Sequence, residues 1–160
     1  MDIRIVPAYN YKQEIKTLFK EYTDMLVYND PVFAKYLDQQ NYDKELEDLE
    51  KKYGLPMGRL YIAFKEDEVV GCIALKQMDN ESGELKRLYV KEQFRKCGIG
   101  SIIVDKIISD ARMIGYSYLK LDTLPFLDSA IRIYESKGFE RIAKFNDSPM
   151  DSGIYMQLKL

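Results

Sequence analysis

The hydrophobic positions of this chain change period several times, and each change marks an element. Residues 2–7 alternate over a short strand that ends at Pro7. Asn10 with Gln13 resembles a capping box, and Ile15, Leu18, Phe19, Tyr22, Met25 and Leu26 then recur at helical spacing. Asp30-Pro31 predicts a second helix, with Asp as N-cap, Pro in the first turn, and Phe33, Tyr36 and Leu37 as its apolar stripe. Residues 41–53 carry Glu47–Lys51 and Asp48–Lys52 pairs four apart, which predicts an exposed helix ending at Gly54 with a solvated charged face.

From Arg59 the period becomes two. Leu60, Ile62 and Phe64 alternate, a turn follows at Glu66-Asp67-Glu68, and Val69, Gly71, Ile73 and Leu75 alternate again. A turn near Asn80–Gly83 leads to a strand at 84–91, so this part reads as an antiparallel meander. Ile102, Ile103, Ile107, Ala111 and Ile114 then mark a helix stopping at Gly115. A strand at 117–123, a short helix with Ala130, Ile131 and Tyr134 ending at Gly138, and strands near 139–145 and 153–159 complete the pattern. With no linker or repeat, residues 1–160 read as a single domain of mixed α/β type.

Composition narrows the chemistry more than the fold. The 46% apolar and 31% charged residues suit a globular core and not a disordered chain. A net charge of −2 offers no general attraction for nucleic acid, and no apolar run approaches the roughly 18 residues of a membrane span. Met1-Asp2-Ile3-Arg4 lacks the layout of a signal peptide, so the expectation is a cytoplasmic protein without nucleic-acid or membrane partners. The chain has no histidine and two cysteines, Cys72 and Cys97. This removes histidine-based triads and histidine-ligated zinc, and no metal is expected. Asn80 and Asn146 each begin a glycosylation sequon, which carries no weight in a cytoplasmic protein.

Between the strand at 84–91 and the following helix lies Arg95-Lys96-Cys97-Gly98-Ile99-Gly100. Successive backbone N–H groups at such a turn, with a helix dipole behind them, make an anion site. Side chains at Gly98 or Gly100 are expected to keep a pyrophosphate from the backbone, and Lys91, Arg95 and Lys96 add positive charge. A P-loop would need Gly-Lys-Ser/Thr, and the dinucleotide fingerprint would need a third glycine where Ile103 stands. What fits is Arg-x-x-Gly-x-Gly before an apolar helix, which resembles the pyrophosphate loop of the GNAT acetyltransferase superfamily. Glu84-Leu85-Lys86-Arg87-Leu88-Tyr89-Val90 is similar to the strand preceding that loop. The segment from Ala130 through Tyr134 to Gly138-Phe139 is similar to a later family motif. The resemblance covers residues 59–143 well and identifies the chain as similar to single-domain, bacterial-type members. One departure is Leu127, where family members often carry an asparagine that contacts the cofactor.

The resemblance implies a mostly antiparallel sheet of about seven strands, flanked by about four helices, with a splay between the strands at 84–91 and 117–123. It implies acetyl-CoA as cosubstrate, held by Leu88, Tyr89 and Val90 of the strand and by Arg95, Lys96, Cys97, Gly98, Ile99, Gly100 and Ser101 of the turn. Direct attack of an amine on the thioester is the implied reaction. It needs a neutral amine, although alkyl amines have a pKa of about 10, and an acid for the leaving thiolate. Tyr134 is the candidate acid and Glu84 the candidate base, although Glu84 and Lys86 share a strand face and are also expected to pair. Cys97 stands at a helix N-terminus, which favours a thiolate, but direct transfer is the family norm. Asp122 and Thr123 border the implied acceptor site, and Tyr28, with Tyr22, Phe33 and Tyr36, is a candidate aromatic wall for a cationic group. Asp122, Asp128, Asp147 and Asp151 add acidity near its mouth. A small amine or amino acid, a peptide amine, and a non-catalytic CoA-sensing module all remain readings of this pattern, and homodimers are common in the family.

Overall fold

The computed structural model describes residues 2–160. The strands are β1 (Ile3–Pro7), β2 (Arg59–Lys65), β3 (Glu68–Gln77), β4 (Ser82–Val90), β5 (Tyr118–Thr123), β6 (Glu140–Ile142) and β7 (Ile154–Lys159). They form one seven-stranded sheet in the order β1-β2-β3-β4-β5-β7-β6. Four helices precede β2: α1 (Lys12–Asn29), α2 (Phe33–Gln39), α3 (Tyr42–Glu47) and α4 (Leu49–Tyr53). Two more, α5 (Ile99–Ile114) and α6 (Asp128–Ser136), flank β5 in sequence. Every neighbouring pair is antiparallel except β4 and β5, which run parallel because α5 returns the chain between them.

Both faces of the central strands are buried, and this is why β2 and β3 are nearly continuous apolar runs. Leu60, Ile62 and Phe64, with Cys72 and Ala74, pack under α1 and α4 against Ile15, Leu18, Phe19, Leu49 and Tyr53. The intervening Tyr61 and Ala63, with Val70, Ile73 and Leu75, pack against Ile99, Ile103, Val104 and Ile107 of α5. The alternation visible in the sequence therefore describes only one of the two covered faces. A third cluster joins Leu26 of α1 and Phe33, Tyr36 and Leu37 of α2 to Leu124 and Met150, beyond the end of β5.

The segment before β2 departs most from expectation, and six α-helices stand where about four were anticipated. Tyr11 occupies the cap position of α1 and makes no side-chain cap bond, so the proposed Asn10–Gln13 box does not form. Asp30 caps Val32 N–H at 3.1 Å, and α2 begins only at Phe33. Residues 41–53 divide at Asp48, which has an extended φ of −141°. Nor is their charged face wholly solvated. Glu45 is 2% exposed and accepts hydrogen bonds from Arg87 Nε at 2.9 Å and Nη2 at 3.0 Å, from Lys52 Nζ at 2.9 Å, and from Tyr53 Oη at 2.9 Å.

Arg87 reaches this position through a bulge in β4. Ala74 of β3 lies opposite Lys86 and Cys72 opposite Tyr89, so Arg87 and Leu88 together face the single residue Ile73. Arg87 has φ 61°, the left-handed region that non-glycine residues seldom occupy. The extra residue resets the alternation. Leu85, Leu88 and Val90 pack toward α5, whereas the consecutive Lys86 and Arg87 both face the α1–α2 side. It also ends the pairing of β4 with β5, which is confined to Ser82–Tyr118, Gly83–Leu119 and Glu84–Lys120. Beyond Glu84 the two strands separate, and the implied splay is present.

Burial would raise the Glu45 pKa, but the adjacent charges of Arg87 and Lys52 outweigh it and hold the carboxyl at about 2. A depressed carboxyl pKa stabilises the fold above its unfolded value of 4.5, and that contribution is lost as pH falls toward 2. Glu45→Gln is expected to lower unfolding free energy at neutral pH by about 3–5 kcal/mol, because Arg87 loses its buried counter-charge. In urea titrations the deficit relative to the parent protein should shrink as pH falls between 4.5 and 2.

Candidate active site

The chain leaves β4 at Val90, makes a 3-10 turn over Glu92–Phe94, and enters α5 through Lys96 and Gly98, both left-handed, with φ of 63° and 82°. The first backbone bond closing α5 runs from Ile102 N–H to Gly98 C=O at 3.2 Å. The N–H groups of Ile99, Gly100 and Ser101 therefore lack intrahelical acceptors and, with the helix dipole, favour an anion. A Cβ on Gly98 would meet nothing within 4 Å, so the turn opens outward there. Gly100 differs, since a Cβ on it would stand 2.9 Å from Ile133 Cδ1 of α6. Its small size therefore serves the packing of α5 against α6. Arg95 Nε donates to Val90 C=O at 2.9 Å, and its guanidinium lies 5.7 Å from the Tyr89 ring centre, so this side chain braces the strand end. Lys96 and Cys97 are exposed, and Cys97 Sγ lies 3.5 Å from the Arg95 carbonyl.

The splay joins two differently furnished faces. On the α5 side Leu88 and Val90 border the buried Tyr134, whose ring centre is 5.6 Å from that of Phe139. Burial raises the Tyr134 pKa well above the usual phenol value, with Tyr22 and Asp122 pushing the same way, so the hydroxyl keeps its proton at neutral pH. On the opposite side lies a cavity of about 40 Å³, lined by Tyr22, Phe33, Tyr36, Lys86, Arg87, Asp122, Thr123 and Leu127 among others. A hydrogen-bonded chain fixes its floor. Tyr155 Oη donates to Asn146 Oδ1 at 2.7 Å, Asn146 Nδ2 donates to Tyr36 Oη at 3.0 Å, and Tyr36 Oη donates to Asp122 Oδ2. Burial and the Asp122 charge raise the Tyr36 pKa, which keeps that donor protonated. Glu84 is 6% exposed, and its Oε2 lies 3.8 Å from Lys86 Nζ, the pairing expected from their shared face. Burial lowers the Lys86 pKa, against the opposing pull of Glu84.

Asp122 and Thr123 line this cavity, Leu88 and Val90 pack against the cluster that holds Tyr134, and Glu84 is buried beside Lys86; Tyr134 and Glu84 are not among the lining residues. Tyr89 projects to the other face, its ring 5.8 Å from that of Tyr22. Tyr28 does not join them; it is 88% exposed near the end of α1 and does not line the cavity. Of the four acidic residues anticipated at the mouth, Asp122 alone is among the lining residues. Leu127 packs in the cluster under α2 and makes that wall apolar, where an asparagine would have been polar. Sequence reasoning missed Arg87 and Asn146 as parts of the site. Two consecutive cations in a largely buried strand were a readable signal for the first; Asn146 offered only its sequon. Among the described residues, no group of three or more His, Cys, Asp or Glu is placed to hold a metal ion. No helix among them is long and apolar enough to cross a membrane.

A family model for GNAT acetyltransferases matches residues 16–139. The chain belongs to the GNAT acetyltransferase family. It is an acetyl-CoA-dependent N-acetyltransferase by that membership and by its relatives. One relative, an uncharacterized N-acetyltransferase of Schizosaccharomyces pombe, is 35% identical over 130 residues, covering 80% of each chain. A GNAT family acetyltransferase of Staphylococcus aureus shares the fold at a TM-score of 0.76, with 24% identity and 99% of both chains covered. The PaiA N-acetyltransferase of Thermoplasma acidophilum, solved with coenzyme A, superposes over 100% of both chains at a TM-score of 0.75 and 20% identity.

The two turn glycines should respond differently to alanine. Gly98→Ala places a side chain at φ 82° and is expected to cost about 1–2 kcal/mol in thermal or urea unfolding. Gly100→Ala gains helix propensity while displacing the mobile end of Ile133, so its stability should stay within about 1 kcal/mol of the parent.

Proposed function

We propose that this GNAT acetyltransferase acetylates a small amine by direct attack on acetyl-CoA, with reaction across the splay between β4 and β5. What supports the reading is a protonated phenol, Tyr134, in the cluster on the α5 side, together with the carboxylates Glu84, beside Lys86, and Asp122, in the cavity on the α1–α2 side. The free N–H groups at the start of α5 suit the pyrophosphate, and the open space beside Gly98 admits it. The unpaired edge of β4 beyond Glu84 supplies backbone groups for the pantetheine arm and the thioester carbonyl. Backbone donors aimed at a developing oxyanion are worth about a hundredfold or more in rate.

In the proposed step the acceptor ammonium gives a proton to Glu84, directly or through water, and the neutral nitrogen attacks the thioester carbonyl carbon. The C–N bond forms, the C–S bond breaks, the thiolate takes the Tyr134 proton, and the second proton of the attacking nitrogen, shed as the amide forms, returns to the Tyr134 phenolate. Asp122, held by Tyr36, orients the amine. The aromatic lining of the cavity favours a small acceptor over a peptide.

The test is CoA release, read with a thiol reagent across small amines, amino acids and peptides. Tyr134→Phe is expected to lower kcat by about 10²–10⁴ while leaving acetyl-CoA affinity in calorimetry unchanged. Binding of acetyl-CoA with no release from any acceptor would overturn the reading.

A further inference from the structure

We infer that the acceptor is a zwitterion, an amine that also bears a carboxylate, and that Lys86 receives this carboxylate. The inference rests on the acetyl-transfer reading and specifies the acceptor of that same site. Lys86 lines the cavity, yet its side chain is only 9% exposed. Its ion-pair partner, Glu84 Oε2, stands 3.8 Å from Nζ, beyond hydrogen-bonding distance. Among the described residues the ammonium makes no hydrogen bond, although it has three donors to place. Its Nζ is not among the fully buried polar atoms without a partner, so the ammonium opens on the cavity, largely stripped of water there and without a protein acceptor, and a methionine of similar length would fill the space without that cost.

Its neighbour supplies the contrast. Arg87 is equally buried, but its Nε and Nη2 are engaged by Glu45 and Gln40. The bulge that sets both residues on one face therefore leaves one cation with its partners inside the protein and one facing the cavity without them. Asp122 lines the same cavity, and the Tyr36 bond engages only one of its oxygens. The cavity thus offers an anion for an ammonium and a cation for an anion. A carboxylate accepts short, charge-assisted hydrogen bonds from an ammonium and satisfies donors that the protein leaves open. A polyamine or simple amine would leave Lys86 unbonded and add positive charge beside it.

The test compares matched acceptors on the unmodified enzyme: an amino acid, its carboxamide, and the amine lacking the carboxyl group. The sets span apolar, polar and acidic side chains, with phosphoethanolamine as a separate arm and thiol release as the readout. In the best set the acid is expected to exceed its carboxamide and amine by about a hundredfold in kcat/KM. Lys86→Met should collapse that preference through the acceptor KM, and Lys86→Arg should retain part of it. Because Lys86→Met also strips Glu84 of its counter-charge, the comparison on unmodified enzyme decides by itself if the variant does not fold. Carboxamides or simple amines turned over as well as the acids would overturn the inference and leave acetyl transfer standing. So would phosphoethanolamine turned over faster than every amino acid, or a folded Lys86→Met enzyme that keeps the preference. Acetyl-CoA binding without release from any acceptor would overturn acetyl transfer, and the inference with it.

Discussion

The left-handed turn of Arg87 is the constraint on which the rest of this architecture depends. One extra residue in β4 detaches the strand from β5 beyond Glu84 and sends two consecutive side chains to the same face. A non-glycine residue at φ 61° is strained, and the structure opposes that strain with a buried ion pair. Glu45, brought in by α3, accepts two hydrogen bonds from the guanidinium, while Lys52 and Tyr53 satisfy the remaining acceptor capacity of its carboxylate. The helices before β2 therefore do more than cover a sheet. They supply the counter-charge without which the Arg87 guanidinium would lie buried and unpaired.

The gap so produced separates two environments that acetyl transfer needs at once. An acid must hold its proton until a thiolate appears, and burial among apolar side chains near Phe139 does this for Tyr134. In the proposed reaction the base and the amine site are the carboxylates Glu84 and Asp122 on the α1–α2 side. The two would interfere if they shared one polar pocket. Tyr155, Asn146 and Tyr36 add a second device: a loop, a helix and a strand end are tied by hydrogen bonds, so the acceptor wall is positioned by polar contacts and not by packing alone.

How much of this could be read beforehand follows physical lines. The meander, α5 and the glycine turn before it were legible because each has a local cause: alternation, a helical stripe, and glycine at a left-handed position. Motif context pointed to Tyr134 and Glu84, whose roles belong to the proposed reaction. The charge run at 41–53 was misread because the burial of Glu45 depends on Arg87, some forty residues away, and no local pattern encodes it. Tyr28 and Tyr22 lie on the same helix, but Tyr22 falls in its apolar stripe and lines the cavity, whereas Tyr28, six residues on and turned by about 120°, is 88% exposed. Asn146 shows the same limit as Glu45, since its partners come from α2 and β7.

The contact between Gly100 and Ile133 ties together two distant parts of the reaction. Ile133 precedes Tyr134 on α6, and Gly100 lies in the first turn of α5, where the phosphate anchor begins. Holding these helices at close approach fixes the span between the proposed anchor and the proposed proton donor as a length built into the protein. The molecule acts as a gauge. A carrier whose arm is shorter or longer than that span presents its sulfur away from the phenol, however well its phosphates are held.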